Sequence, residues 1–398
     1  MQMVDLKNQY LKIKSEIDEA VLEVIGSTKY IKGPAVKLFE HSLSEYLDVK
    51  HVIGCANGTD ALQVALMALG LESGDEIIVP SFTYVATAEV IALLKLKPIM
   101  VDVDPISFNV TPDIILKALT KRTKAIVPVH LFGQSCDMEG IMKIANDHNL
   151  YVIEDSAQSI GANYKYSSGE TKKVGTIGHI GCTSFFPSKN LGCYGDGGAI
   201  FTNDDHLATR IKMIANHGQS KRYYHDEIGV NSRLDSIQAA ILNVKLKYLD
   251  HYNHSRRQAA DYYSNQFSKS ANMITPSVSP FSDHVYHQYT LQLSVESVET
   301  EVEGIAKVEV DKKLAGSRKD NRRDALSKYL MDRDIPHGIY YPVPLYKQKA
   351  YAHYYENNIC HPTTERLCNS VISLPMHSEL NYEIQDKIIH TVMDFIDQ

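Results

Sequence analysis

Four short apolar runs, each bounded by breakers, constrain this chain more than any other feature: Glu76-Ile77-Ile78-Val79, Pro98-Ile99-Met100-Val101, Ala125-Ile126-Val127-Pro128-Val129 and Tyr151-Val152-Ile153. Runs without polar alternation are covered on both faces, and helical-looking segments separate these four, so they read as parallel strands. Strand and helix alternate over residues 50 to 245. The pattern predicts an α/β fold, a mainly parallel doubly wound sheet whose ligands sit at the carboxyl ends of its strands.

Helices are expected ahead of the sheet. Ile13, Ile17, Val21 and Val24 recur at helical spacing and Gly26 follows as a stop, and a second helix starts at Pro34. From about Asp250 the pattern changes to an amphipathic helix, one strand (Tyr289 to Leu293) and further helices. A large domain over 1–250 and a smaller C-terminal α+β domain over 251–398 are therefore expected, as suits 398 residues. Residues 298–323 alternate around Gly304 and end in a charged stretch, which predicts an exposed hairpin.

Charge and cysteine usage narrow the function. Lys plus Arg total 41 against 48 Asp plus Glu, and no basic run follows a phosphate backbone, so nucleic acid is not an expected partner. The charged opening MQMVDLKNQYLKIK lacks a signal-peptide core, and Lys95 interrupts the apolar stretch from Val90 to Leu94. No membrane association is expected. The six cysteines lie at irregular spacings without a CxxC pair, so no metal site is expected and a reducing, cytoplasmic setting fits.

Chemistry concentrates in Ser184-Phe-Phe-Pro-Ser-Lys189-Asn-Leu-Gly192-Cys-Tyr-Gly195-Asp-Gly197-Gly198-Ala. Lysines ordinarily lie on solvated faces; one in an apolar, glycine-dense run is desolvated, and its pKa falls toward that of a nucleophilic amine. Asp155 follows the run Tyr151 to Ile153, where a carboxylate meets a ligand or caps a helix. Asn57-Gly58-Thr59-Asp60 opens an apolar-periodic segment, so Gly58 and Thr59 sit at a helix N-terminus suited to phosphate, or to capping alone. Tyr84 follows another strand end, free to stack on a ligand ring opposite Ala157 or to pack in the core.

These blocks, in this order, resemble the sugar aminotransferases of the pyridoxal-phosphate (PLP) fold-type I superfamily, often called the DegT family. The resemblance spans nearly the whole chain and includes Tyr30-Ile-Lys-Gly-Pro34, Asn231-Ser-Arg233-Leu-Asp235, Tyr341-Pro-Val-Pro-Leu345 and Ser373-Leu-Pro375. It implies that Lys189 holds PLP as a Schiff base, Asp155 pairs with the pyridine nitrogen and Gln158 meets the ring hydroxyl. Tyr84 would stack on the ring, Gly58, Thr59 and Ser184 would hold the phosphate, and Asn231 would reach across a homodimer. Arg233, Tyr340 and Tyr341 would face the substrate.

The block around Lys189 and Gly-Val-Asn-Ser-Arg-Leu-Asp is most similar to enzymes acting on UDP-linked 2-acetamido-3-keto sugars. That likeness implies transfer of the amine from L-glutamate, leaving 2-oxoglutarate, in the making of amino sugars for surface polysaccharide or lipopolysaccharide. Tyr340 stands where the 3-keto-glucuronate enzyme is expected to carry histidine. Other readings are a 4-aminotransferase on a dTDP- or UDP-linked 4-keto-6-deoxy sugar, or a non-catalytic PLP-binding regulator. A sugar dehydratase of the family replaces the lysine with histidine, and a nicotinamide enzyme needs a G-x-G-x-x-G turn that Cys55-Ala-Asn-Gly-Thr-Asp60 does not supply.

Overall fold

A computed structural model describes residues 1–294, 322–355 and 359–397. Its centre is a seven-stranded sheet of β1 (His51–Cys55), β2 (Glu76–Pro80), β3 (Lys97–Val101), β4 (Thr123–Ile126), β5 (Tyr151–Asp155), β6 (Ile180–Ser184) and β7 (Gly198–Thr202). The order across the sheet is β1-β7-β6-β5-β4-β2-β3. All neighbours from β6 to β3 run parallel, whereas β7 is antiparallel to both β1 and β6.

The expected strands exist for the expected reason: every residue of β2, and every residue of β5 after Tyr151, is buried, with helices on both faces of the sheet. Burial on two faces leaves no polar alternation to set register, so polar anchors at strand ends do it. Glu76, 2% exposed, accepts from Lys97 Nζ at 3.2 Å and Arg122 Nη2 at 2.7 Å, tying β2 to the starts of β3 and β4. The run at Ala125–Val129 is shorter than the sequence suggests. Pro128 cannot donate to a ladder, and β4 ends at Ile126, continued only by a bridge between Val129 and Asp155.

Five helices position the rest: α1 (Lys14–Ser27), α2 (Pro34–Leu47), α3 (Gly58–Ala68), α4 (Ser236–Leu246) and α5 (Leu249–Phe267). Pro34 occupies the first turn of α2 as expected. Gly26 does not stop α1; the helix runs to Ser27 and ends at Thr28, which takes the left-handed conformation with φ 53°. Beyond α5, a three-stranded antiparallel sheet of Met273–Ile274, Tyr289–Leu293 and Val371–Leu374 packs on α5 and on helices Arg322–Met331 and Tyr382–Ile396. Of the expected hairpin, 298–321 lies outside the described residues, and Arg322 and Arg323 instead open a helix, with Arg323 buried.

Candidate active site

The polypeptide leaves β6 at Ser184 and closes on itself. The Lys189 amide donates to the Phe186 carbonyl at 2.8 Å and the Cys193 amide to the Phe185 carbonyl at 2.8 Å. Gly192 permits the closure, because a Cβ there would fall 2.3 Å from the Pro187 carbonyl oxygen. Lys189 rides on this turn with its amine desolvated. Burial lowers its pKa from 10.5 to about 8, and the nearby Asp155 carboxylate pulls it back upward. At neutral pH that shift raises the unprotonated fraction from about one in 3,000 to about one in ten, the form a nucleophilic amine needs.

Asp155 ends β5 with 6% of its surface exposed. One oxygen accepts from Thr87 Oγ1 at 2.7 Å and the other from the Ala157 amide at 3.2 Å, which fixes the carboxylate plane. Its neighbour Glu154 points to the other face of the sheet and is saturated. Glu154 accepts from His130 Nε2 at 2.8 Å and from the amides of Gly175, Ile177 and Gly178 at 2.9, 2.6 and 2.5 Å. Strand alternation thus sends adjacent acids to opposite faces, one tying loops together and one near enough to Lys189 to raise its pKa.

Thr87 was not legible as a site residue. It sits in the apolar helix Ala86–Leu93, and the only hint was a hydroxyl buried one turn beyond Tyr84.

Gln158 Oε1 accepts from the Phe132 amide at 2.7 Å, and Nε2 donates to the Tyr341 hydroxyl at 3.3 Å. Burial raises the Tyr341 pKa, so its hydroxyl keeps its proton. Tyr84, 57% exposed, has its ring centre 6.4 Å from that of Tyr341, and the Tyr340 ring centre lies 6.1 Å from the same ring. Tyr340 packs over Gly338, where a Cβ would come within 2.6 Å of the ring.

The opposite end is the start of α3. Asn57 caps it, Oδ1 accepting from the Asp60 amide at 2.8 Å, so the Gly58 and Thr59 amides lie in a first turn that offers them no intrahelical carbonyl. A Cβ on Gly58 would sit 2.7 Å from Ser184 Cβ, and one on Gly198 would sit 2.5 Å from the Asn57 backbone. Both glycines let the cap seat against the ends of β6 and β7.

Asn231 and Arg233 stand apart. Arg233 Nε donates to Asn231 Oδ1 at 2.6 Å, Asn231 is exposed, and neither bonds to the Lys189 turn among the described residues.

The residues present fit PLP. They offer an amine of lowered pKa, a fixed carboxylate facing it, helix amides of the kind that bind phosphate, and aromatic walls.

Comparison with known proteins adds an independent line. A model of the DegT/DnrJ/EryC1/StrS aminotransferase family matches residues 11–312 and 307–393. A UDP-2-acetamido-2-deoxy-3-oxo-D-glucuronate aminotransferase of Pseudomonas aeruginosa is 44% identical over 381 residues, 96% of either chain. A UDP-N-acetyl-3-dehydro-alpha-D-glucosamine 3-aminotransferase of Acidithiobacillus ferrooxidans is 40% identical over 96% of this chain and 94% of its own. Among solved structures, ntda of Bacillus subtilis with bound cofactor PMP superposes with a TM-score of 0.83 at 31% identity, covering 100% of this chain and 83% of the other.

Proposed function

From the premise that this chain belongs to the DegT/DnrJ/EryC1/StrS aminotransferase family and is a PLP-dependent sugar aminotransferase, we propose that it aminates C3 of a UDP-linked 2-acetamido-2-deoxy-3-keto sugar with L-glutamate as donor. The desolvated Lys189 amine near the fixed Asp155 carboxylate supports the cofactor chemistry, and the likeness to the two UDP-linked 3-keto-sugar enzymes supports the choice of C3.

When bound, PLP supplies an electron sink that allows a proton to leave the carbon bearing the amine. The chain's own groups do the rest. Lys189 Nζ would be the covalent anchor for the cofactor, and its amine, once released, the group that accepts and returns the proton. Asp155, held by Thr87 and Ala157, would keep the pyridine nitrogen protonated. The first-turn amides of α3 and the Ser184 hydroxyl would hold the phosphate, Tyr84 would cover the ring, and Gln158, bonded to Tyr341, would meet the ring hydroxyl.

Asn231 completes the phosphate site of a partner subunit in a homodimer, which its exposure supports. Arg233 takes a carboxylate with its planar fork, and Tyr340 lines the sugar C6 and favours a neutral hydroxymethyl over a uronate. Glutamate and sugar use one pocket in turn, so ping-pong kinetics follow. The setting is cytoplasmic synthesis of amino sugars for surface polysaccharide or lipopolysaccharide. No helix among the described residues is long and apolar enough to cross a membrane, and no group of three His, Cys, Asp or Glu among them has a metal-holding arrangement.

The reverse reaction is the test. Enzyme incubated with 2-oxoglutarate and UDP-2-acetamido-3-amino sugar should form glutamate. Glutamate formed only from the 4-amino isomer would overturn the C3 assignment.

A further inference from the structure

A second lysine lies beneath the Lys189 turn. Lys245, on α4, is 1% exposed, and its Nζ donates to the Gly192 carbonyl at 2.5 Å while lying 5.3 Å from the centre of the Tyr194 ring. Among the described residues no carboxylate pairs with it. Its neighbours one turn back, Ile241 and Leu242, are buried hydrophobes, and a leucine or methionine in its place would avoid the cost of an ammonium buried without a counter-charge. What the ammonium gains is one strong bond, to the carbonyl that closes the turn three residues after Lys189.

The same helix holds the turn a second time. Gln238 lies seven residues before Lys245, two helical turns along the same face, and its Oε1 accepts from the Tyr194 amide at 2.9 Å. On the far side, Asn190 Nδ2 donates to Asn253 Oδ1 at 2.6 Å and to the Val285 carbonyl at 2.9 Å. The turn is thus tied at Asn190, Gly192 and Tyr194, and only at Gly192 is the donor a cation, whose bonds to a carbonyl are roughly twice as strong as neutral ones.

We propose that Lys245 is a positioning residue, which through the Gly192 carbonyl holds the Lys189 turn in the arrangement that presents the amine to Asp155. The inference rests on Lys189 being the cofactor-bearing lysine. It concerns a residue that touches neither cofactor nor substrate.

The test uses Lys245→Met, Lys245→Gln and Lys245→Arg, with Lys247→Met, an exposed lysine two residues on, as control. In cofactor-free protein, hydrogen exchange at the Lys189 and Cys193 amides should accelerate about tenfold in Lys245→Met, the scale of one charged hydrogen bond, while the amides of β2 keep their protection. In the loaded enzyme kcat should fall about tenfold with KM for glutamate within about twofold, and Lys245→Arg should recover most of the loss. Lys247→Met should change neither reading. If the Met variant does not fold, the Gln variant, which keeps a neutral donor, should show a smaller shift in the same direction.

Exchange and kcat both equal to wild type would overturn the proposal, as would protection lost uniformly across the molecule. Cofactor fixed at Lys189 alongside unchanged turn exchange would sink this inference alone. Cofactor fixed elsewhere would sink the functional reading instead.

Discussion

Lys189 and Lys245 are lowered to the same pKa, about 8, by the same cause, desolvation, yet their surroundings differ. Lys245 is enclosed, with its nitrogen against the Gly192 carbonyl and an aromatic ring. Lys189 is only half-buried, its nitrogen has no hydrogen bond among the described residues, and the charge facing it is that of Asp155. A depressed lysine pKa therefore does not by itself mark a nucleophile. What separates the two is the partner of the nitrogen: that of Lys245 is held by a carbonyl, whereas that of Lys189 carries no hydrogen bond among the described residues and feels the charge of a carboxylate.

The sharpest way to break the comparison is to remove each amine. Lys189→Ala should lower glutamate-dependent turnover at least about 1,000-fold, because the proposed anchor and the proposed proton carrier disappear together. The loss should exceed that of Lys245→Met by about two orders of magnitude in a steady-state assay. Equal losses would mean that the two lysines share one role.

Mixed dimers extend the test to the partner subunit. Lys189→Ala and Asn231→Ala homodimers should each be nearly inactive, whereas co-refolded chains should regain up to about a quarter of wild-type activity, since a heterodimer can gather both lesions in one site. No recovery would place Asn231 in its own subunit's site.

Smaller effects probe what Lys189 faces. Asp155→Asn should cost about 100-fold in kcat, and Thr87→Val, which removes one hydrogen bond to that carboxylate, about five- to tenfold. A Thr87→Val loss as large as that of Asp155→Asn would show that the hydroxyl acts directly.

The mildest prediction concerns stability in cofactor-free protein. Lys245 releases its proton near pH 8 when folded and near its ordinary 10.5 when unfolded. Between these values the unfolded chain binds more protons, so wild-type stability rises with pH. Lys245→Met removes that contribution, and the slope of unfolding free energy near pH 9 should fall by up to about 1.4 kcal/mol per pH unit, the value for one proton. Cys193 and Arg256, which face Lys245, remain in both proteins and cancel in the difference. Equal slopes would show that Lys245 keeps an ordinary pKa.

Much of this was legible in the residues. Two-sided burial wrote β2, β3 and β5 as unbroken apolar runs, Pro34 and Gly58 opened their helices, and a lysine in a glycine-dense apolar block stood out. The rest depended on tertiary contacts. The end of α1 was misread because a left-handed Thr28, rather than Gly26, closes it. The antiparallel β7 was hidden at the end of the glycine block, where Gly198 opens the strand and lies close against the Asn57 backbone.

The burial of Lys245 is itself written in the helical spacing. Lys245 and Lys247, two residues apart in a helix, point about 200° apart, so they cannot share a solvated face. Lys245 falls on the stripe of Ile241 and Leu242. Thr87 offered less, since a threonine in an apolar helix bonds as readily to its own backbone as to a strand end.

Borohydride reduction of the loaded enzyme followed by peptide mapping shows which lysine bears the cofactor. One modified peptide is expected, reduced at Lys189, with Lys245 unmodified. Cofactor fixed to Lys245, or to any lysine other than Lys189, would contradict that assignment.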